Sequence, residues 1–410
     1  MQSPTKRIAI TGLGVLSPIG SGQEKFWQQL CLGSVGTGPI QSFDTSLFDI
    51  RNGGEVTDVD PSTYFRVIDP ANCARTTQLA VAATRMAVDD ARLSFHDMDM
   101  ERVAVCMGTT MGNQTIVESS NNHQMGNGAE VPSSLWSSYP TSYVCVAIAE
   151  ELGIGGPSMT IPTACAAGNY AIGWGADLIR DGSVDIAIVG GTDALSRGCY
   201  AVFHRLGAIS PDVCQPFDAK RKGTLVSEGA GVLVLEDYEL AVKRGARIYA
   251  EFLGYGLSCD AHHPTAPHPE GAGAKLGMDR ALAEADCDAS QVSYISAHGT
   301  GTRANDSTES LAVRDTFGER SDDIPCSSIK SMLGHTMGAA SAIEAVTCSL
   351  ALYHQMVPPT ANFQTPDPEC LNHIVPNQPI QQELQVVLSN SFAFGGNNAT
   401  ILLGRRDQDE

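Results

Sequence analysis

The chain alternates short apolar runs with longer stretches of helical period. Ile8–Ile10, Val103–Gly108, Ile186–Val189, Val232–Leu235 and Val292–Ile295 read as strands, the third and fourth as continuous apolar runs buried on both faces. The first is expected to start at Arg7 and to end in a tight turn at Gly12-Leu13-Gly14. Between these runs, Thr76 to Leu93 carries Leu79, Ala83, Met86 and Ala87 on one helical stripe. Ala164 to Arg180, Gly273 to Ala285 and Gly338 to His354 also read as helices. Val386–Ser389 and Thr400–Leu403 read as a closing hairpin around Gly395-Gly396-Asn397, and Arg405 to Glu410 as a frayed tail. Alternating strands and helices predict an α/β fold. No low-complexity linker interrupts it. The change of style near Gly245 to Ser258 divides the chain into 1–250 and 251–410, expected to pack as one unit.

Composition narrows the function. Net charge is −20 from 26 basic and 46 acidic residues, which disfavours a nucleic-acid surface or an anionic membrane as partner. No run approaches the 18 or so apolar residues of a membrane span, and Met1–Ile10 lacks a signal-peptide pattern. Twelve cysteines with no CxxC spacing suit a cytoplasmic protein with reduced thiols.

Several motifs invite chemistry. Gly12-Leu13-Gly14 fails the dinucleotide fingerprint because Ser17 stands where its third glycine belongs. His262, His263 and His268 with Asp260 lack a cysteine partner at zinc-finger spacing, so a substrate-flanking or plain surface loop is expected and no metal. Thr163-Ala164-Cys165-Ala166-Ala167-Gly168 sets a cysteine at a helix start, where free amides and the helix dipole are expected to lower its pKa. A buried structural cysteine is the alternative. His298 follows a strand in Ser296–Thr302, and His335 precedes a helix in Lys330-Ser331-Met332-Leu333-Gly334-His335. One cysteine at a helix start with two such histidines suits nucleophilic catalysis. Phe392–Asn398 offers a glycine turn with amides for an oxyanion hole, or an ordinary hairpin turn.

Together these blocks resemble the β-ketoacyl-acyl-carrier-protein synthases of the thiolase superfamily, along essentially the whole chain. The active-site cysteine, His-Gly-Thr-Gly-Thr, Lys-x₄-His and Phe-x-Phe-Gly-Gly-x-Asn blocks occur in the family's order. The likeness extends to the synthase II enzymes and the ketosynthase subunits of type II polyketide systems. It implies a five-layered αβαβα fold of two similar halves, with Cys165 in the first and both histidines in the second.

The resemblance also implies roles. Cys165 is the acyl-accepting nucleophile, and His298 and His335 promote decarboxylation of malonyl-carrier protein. Lys330 sets the electrostatics, paired with Asp306 or Glu309, and Glu344 supports from behind. The amides of Cys165 and Phe394 form the oxyanion hole. Thr300, Thr302, Phe392 and Phe394 receive the phosphopantetheine arm, and Met111 shapes the acyl pocket. Arg66, Arg75, Arg205, Lys220 and Arg221 are the cations available to dock a carrier. Implied partners are an acyl carrier protein and a second subunit, as a homodimer or as a heterodimer with a chain-length-factor-like chain; no cofactor is implied. The activity implied is decarboxylative Claisen condensation in polyketide-type or specialised fatty-acid-like synthesis. Housekeeping fatty-acid elongation is the alternative, and a non-elongating acyltransferase or a heterodimer subunit the second. The sequence departs from the synthase II pattern at Gly301 and Asn305-Asp306, at Ala166-Ala167-Gly168 and in the thin basic run Asn72-Cys73-Ala74-Arg75.

Overall fold

A computed structural model describes residues 6–95 and 98–405 of the chain. Of the expected tail only Arg405 is described, and its N–H is bonded to Gln385 O at 2.8 Å; 406–410 lie outside the described residues.

Ten strands form one hydrogen-bonded sheet: β1 (Ile8–Leu16), β2 (Val103–Gly108), β3 (Ser158–Ile161), β4 (Ile186–Asp193), β5 (Gly229–Asp237), β6 (Ala250–Cys259), β7 (Val292–Ser296), β8 (Cys326–Ser327), β9 (Val386–Phe392) and β10 (Asn397–Gly404). Their spatial order is β8-β7-β9-β10-β6-β1-β5-β4-β2-β3. Read outward from the β6–β1 seam, both halves follow the same plan. In the first, β5 is antiparallel to β1 and β4, and β4, β2 and β3 run parallel. In the second, β10 is antiparallel to β6 and β9, and β9, β7 and β8 run parallel. The seam has only two register pairs, Ala9 with Glu251 and Ile10 with Ala250.

The helices repeat as well. α1 (Arg75–Asp90), α2 (Tyr143–Leu152) and α3 (Ala167–Arg180) follow β1, β2 and β3 in turn. A short α4 (Arg197–Arg205) follows β4. α5 (Ala272–Glu284), α6 (Arg303–Phe317) and α7 (Ala340–His354) follow β6, β7 and β8. α1 and α2 cover one outer face with Leu79, Ala83, Val144 and Ile148. α5 and α6 cover the other with Met278, Ala281 and Val313. α3 and α7 pack between the half-sheets in the largest core, where Ile172, Ala176, Ile343 and Val346 are fully buried. The layers are therefore helix, sheet, helix, sheet, helix.

α3 and α7 meet through small residues: a Cβ on Gly168 would lie 2.6 Å from Ala342 N, and Asn169 N–H donates to Ser341 Oγ at 3.1 Å. Each begins in a one-turn 3₁₀ segment, Ala164–Ala166 and Met337–Ala339, rather than in the α-helical start the periodicity suggests. These one-turn segments share a backbone signature. Ala164 and Met337 sit at φ 51° and 52°, a left-handed conformation rare outside glycine. By topology Cys165 in the first half corresponds to Gly338 in the second.

Gly12 and Gly14 do not form the expected turn. β1 runs through both to Leu16, fully buried. Their missing side chains let α1 lie directly on the strand: an added Cβ would fall 2.2 Å from Ala87 O at Gly12 and 1.9 Å from Ala83 O at Gly14. Gly14→Ala is expected to push α1 off the sheet and to cost about 1–3 kcal/mol or more. A lower urea midpoint at unchanged m-value would register the loss.

Candidate active site

The parallel strands of each half end on the same side as the starts of α3 and α7, and the second half's β7, β8 and β9 deliver three of the blocks there. The loop after β7 carries His298. Carboxylates near the start of α6 hold it: Glu309 accepts from His298 N and Gly299 N, both at 2.8 Å, and Asp306 accepts from Gly301 N at 3.2 Å and Phe217 N at 2.8 Å. Gly299 and Gly301 sit at φ 41° and 78°, which this turn requires. Thr302 caps α6 through Asn305 N at 3.4 Å, and its hydroxyl lies 2.9 Å from that of Thr300.

Lys330 opens the segment after β8. It is buried to 1 % exposure, and its ammonium has three acceptors: Glu344, His298 O at 2.7 Å and His298 Nδ1 at 3.4 Å. The expected pairing with Asp306 or Glu309 is therefore corrected. Asp306 faces Arg221 at 3.5 Å, Glu309 is committed to backbone amides, and only Glu344 projects from α7 into reach. Burial pushes both Glu309 and Glu344 up to about 7.

Hydrogen bonds set the proton position on both imidazoles. Met337 N–H donates to His335 Nδ1 at 3.3 Å, and Lys330, a donor only, faces His298 Nδ1. Each ring then carries its proton on Nε2. His335 Nε2 lies 3.0 Å from Cys165 Sγ, and the two rings meet edge to face at 5.5 Å. Burial, then the Lys330 charge, holds both histidines well below their usual pKa, with a further push on His298 from His335. They stand neutral, as N–H donors.

Cys165 differs from expectation. Burial at 5 % exposure pushes its thiol up to about 11, against the Lys330 charge and the amides of Phe394 and of Cys165 itself. Stabilisation by the helix start exists, but desolvation outweighs it. Those two amides nevertheless reach the sulfur, beside the place where the oxygen of an attacked carbonyl would lie. The turn is held by Ser391 Oγ, which donates to Cys165 O at 2.8 Å.

A pocket of about 220 Å³ opens over these atoms, lined by Cys165, His298, His335, Thr300, Thr302, Phe392 and Phe394 among others. Phe392 meets His298 edge to face at 6.0 Å. Phe394, 37 % exposed at the rim, stacks on Phe203 at 5.4 Å. Met111 does not line this pocket; it packs against the apolar cluster to which Leu195, Cys199, Tyr200 and Phe203 belong. Phe203, Leu206 and Asp193 were not legible as site residues in the sequence. The one available signal was a carboxylate, Asp193, ending the apolar run of β4.

The proposed docking cations divide. Arg205 and Lys220 are exposed, and Arg66 is exposed but lies 3.4 Å from Asp89. Arg75 is held by Glu228 at 2.8 Å. Arg221 cannot dock anything: at 2 % exposure it is locked between Asp306 and Asp367, because its loop packs under the His298 turn.

Cys165, His298 and His335 bring ligand atoms within 4.8 Å of one another. With both Nε2 atoms protonated, the histidines offer hydrogens there rather than lone pairs. The loop histidines 262, 263 and 268 form no comparable cluster among the described residues.

Comparison with known proteins places this arrangement. The beta-ketoacyl synthase N-terminal domain matches residues 5–241, and the C-terminal domain matches 249–364. A 3-oxoacyl-[acyl-carrier-protein] synthase 2 of Synechocystis sp. is 39% identical over 404 residues, 97% of each chain. The tetracenomycin polyketide synthase ketoacyl synthase alpha subunit of Streptomyces glaucescens is 36% identical over 417 residues, covering 98% of this chain and 97% of that one. The solved ishigamide ketosynthase/chain length factor superposes with a TM-score of 0.93 at 44% identity, covering 98% of this chain and 100% of that one. With both domain models matched across most of its length and relatives alike from end to end, the chain is a member of the β-ketoacyl synthase family.

Proposed function

We propose that the protein condenses an acyl group held on Cys165 with a malonyl unit on an acyl carrier protein, in polyketide-type or specialised fatty-acid-like synthesis. The carrying observation is the pair of neutral imidazoles presenting Nε2–H beside the sulfur and the two amides. In the first half-reaction Cys165 Sγ attacks the thioester carbonyl, whose oxygen takes the N–H groups of Cys165 and Phe394. The pantetheine thiol leaves with the proton that Cys165 gives up. In the second, the malonyl carboxylate departs as carbon dioxide, and its electron pair forms an enolate stabilised by His298 and His335. The enolate carbon attacks acyl-Cys165, and collapse returns the cysteine with a product two carbons longer. Fixed donors in a desolvated pocket suffice for this charge, so no bound cofactor enters.

Chain halves 1–250 and 251–410 divide the work, the first supplying the nucleophile and the second the enolate donors. The pocket's lining supports a site for the phosphopantetheine arm, with Thr300 and Thr302 as its hydroxyl contacts. Edge strand β3 and α2 beside it expose Met159 and Val146, with Trp136 and Tyr139 also exposed, which supports a partner subunit on this face. The solved ketosynthase/chain length factor supports a heterodimer as that assembly; a homodimer is the other reading. No helix among the described residues is long and apolar enough to cross a membrane, and all twelve cysteines are free, which supports a cytoplasmic location.

His298→Ala and His335→Ala are each expected to slow carbon dioxide release from malonyl-carrier protein by about 10²–10³. Unchanged release in either variant would remove the enolate role. Intact-mass spectrometry should find the acyl group on wild-type protein and none on Cys165→Ala. The Cys165 thiol fixes a pH profile: its alkylation by iodoacetamide should rise about tenfold per pH unit up to about 11. Lys330→Met removes a charge that favours the thiolate, so alkylation at pH 8 should become slower; a faster rate would reverse the electrostatic assignment.

A further inference from the structure

Asp193 ends β4 directly behind the catalytic turns and is fully buried. Its carboxylate collects four donors from two separate segments. Oδ1 accepts from Thr109 Oγ at 2.7 Å and Met111 N at 2.9 Å; Oδ2 accepts from Thr110 N at 2.7 Å and Gly338 N at 2.6 Å. Thr109 Oγ itself accepts from Gly112 N at 3.0 Å, which leaves its own hydrogen for the carboxylate. Four donors meet the full capacity of an ionised carboxylate.

Gly338 is the informative partner. Its position admits no side chain, since a Cβ would lie 2.5 Å from Thr110 N and 2.6 Å from Asp193 Oδ2. The residue before it, Met337, holds the left-handed φ of 52°. That twist turns successive amides in different directions, Met337 N–H onto His335 Nδ1 and Gly338 N–H onto Asp193. The bond that keeps His335 protonated on Nε2 therefore depends on a backbone conformation anchored one residue further on.

We infer that Asp193 is a positioning residue for His335: by gripping Gly338 N–H it holds the Met337 turn whose amide fixes the His335 proton on Nε2, facing the reacting atoms. The same carboxylate grips the Thr109–Met111 loop, so this loop and the histidine turn share one anchor. The inference rests on the condensation reading for its kinetic consequence, and not for its structural one.

Asp193→Ala removes both carboxylate oxygens and leaves Gly338 N–H without its acceptor, whichever way the neighbouring groups turn. The freed turn relaxes, and His335 gains a population protonated on Nδ1. With ¹⁵N-labelled histidine, wild-type protein should show His335 as the Nε2–H tautomer, and the variant should show a mixture. Decarboxylation of malonyl-carrier protein should fall roughly tenfold to a hundredfold, as for a weakened oxyanion donor, while acylation of Cys165 falls less than about threefold. Gly338→Ala, which presses on the same contact with Asp193 intact, should give the same tautomer mixture. A wild-type His335 protonated on Nδ1 overturns the inference without any variant. So does an Asp193→Ala protein with an unshifted tautomer, or with both half-reactions reduced in equal proportion, the mark of a merely structural role. Wild-type protein that neither acylates Cys165 nor releases carbon dioxide would instead count against the condensation reading, and the tautomer spectra would still decide this one.

Discussion

A single buried ammonium orders the chemistry of this molecule. The Lys330 ammonium is buried, which is tolerable only because Glu344, a carbonyl oxygen and an imidazole nitrogen take its three hydrogens. From that position it acts on every reacting group. It adds to the burial that keeps both histidines neutral, it turns the His298 proton to the far nitrogen, and it lowers the cost of a thiolate on Cys165. The three effects share one source, so they cannot be tuned independently.

The surrounding carboxylates serve the same arrangement of charge. Asp306, Glu309 and Asp193 are buried acids whose oxygens are committed to backbone amides of the catalytic turns. They act as clamps on loops that would otherwise be free to move, and Arg221 balances Asp306 from beneath. The rigid elements of the fold thereby reach into loops that carry no regular structure of their own. Such anchoring is what holds donors fixed while charge develops in front of them.

Much of this was legible in the sequence, and the reasons differ by residue. The apolar runs located the inner strands, because strands buried on both faces must be continuously apolar. The blocks around Cys165, His298, Lys330 and His335 were legible because each couples a reactive side chain to small residues that the turn geometry demands. What failed depended on distance through space. Lys330 reads as paired with Asp306 or Glu309, with Glu344 set behind it, since position along the chain does not show that the packing of α7 brings Glu344 onto the ammonium. The helix start around Cys165 points to a lowered pKa, but the depth of burial decides it. Arg221 looked like a surface cation because nothing local shows that its loop is covered. Gly12 and Gly14 looked like a turn because a glycine needed for close approach and one needed for a positive φ are spelled the same way.

The two halves of the chain began from one plan and no longer have interchangeable parts. The helix start that presents a thiol in the first half presents Gly338 in the second, walled in by Thr109, Thr110 and Asp193. A nucleophile cannot be restored there by any single replacement, because even a methyl group has no volume to occupy. The twofold architecture thus has room for a thiol at only one of its two matching helix starts, and a second such thiol has no place in the same chain.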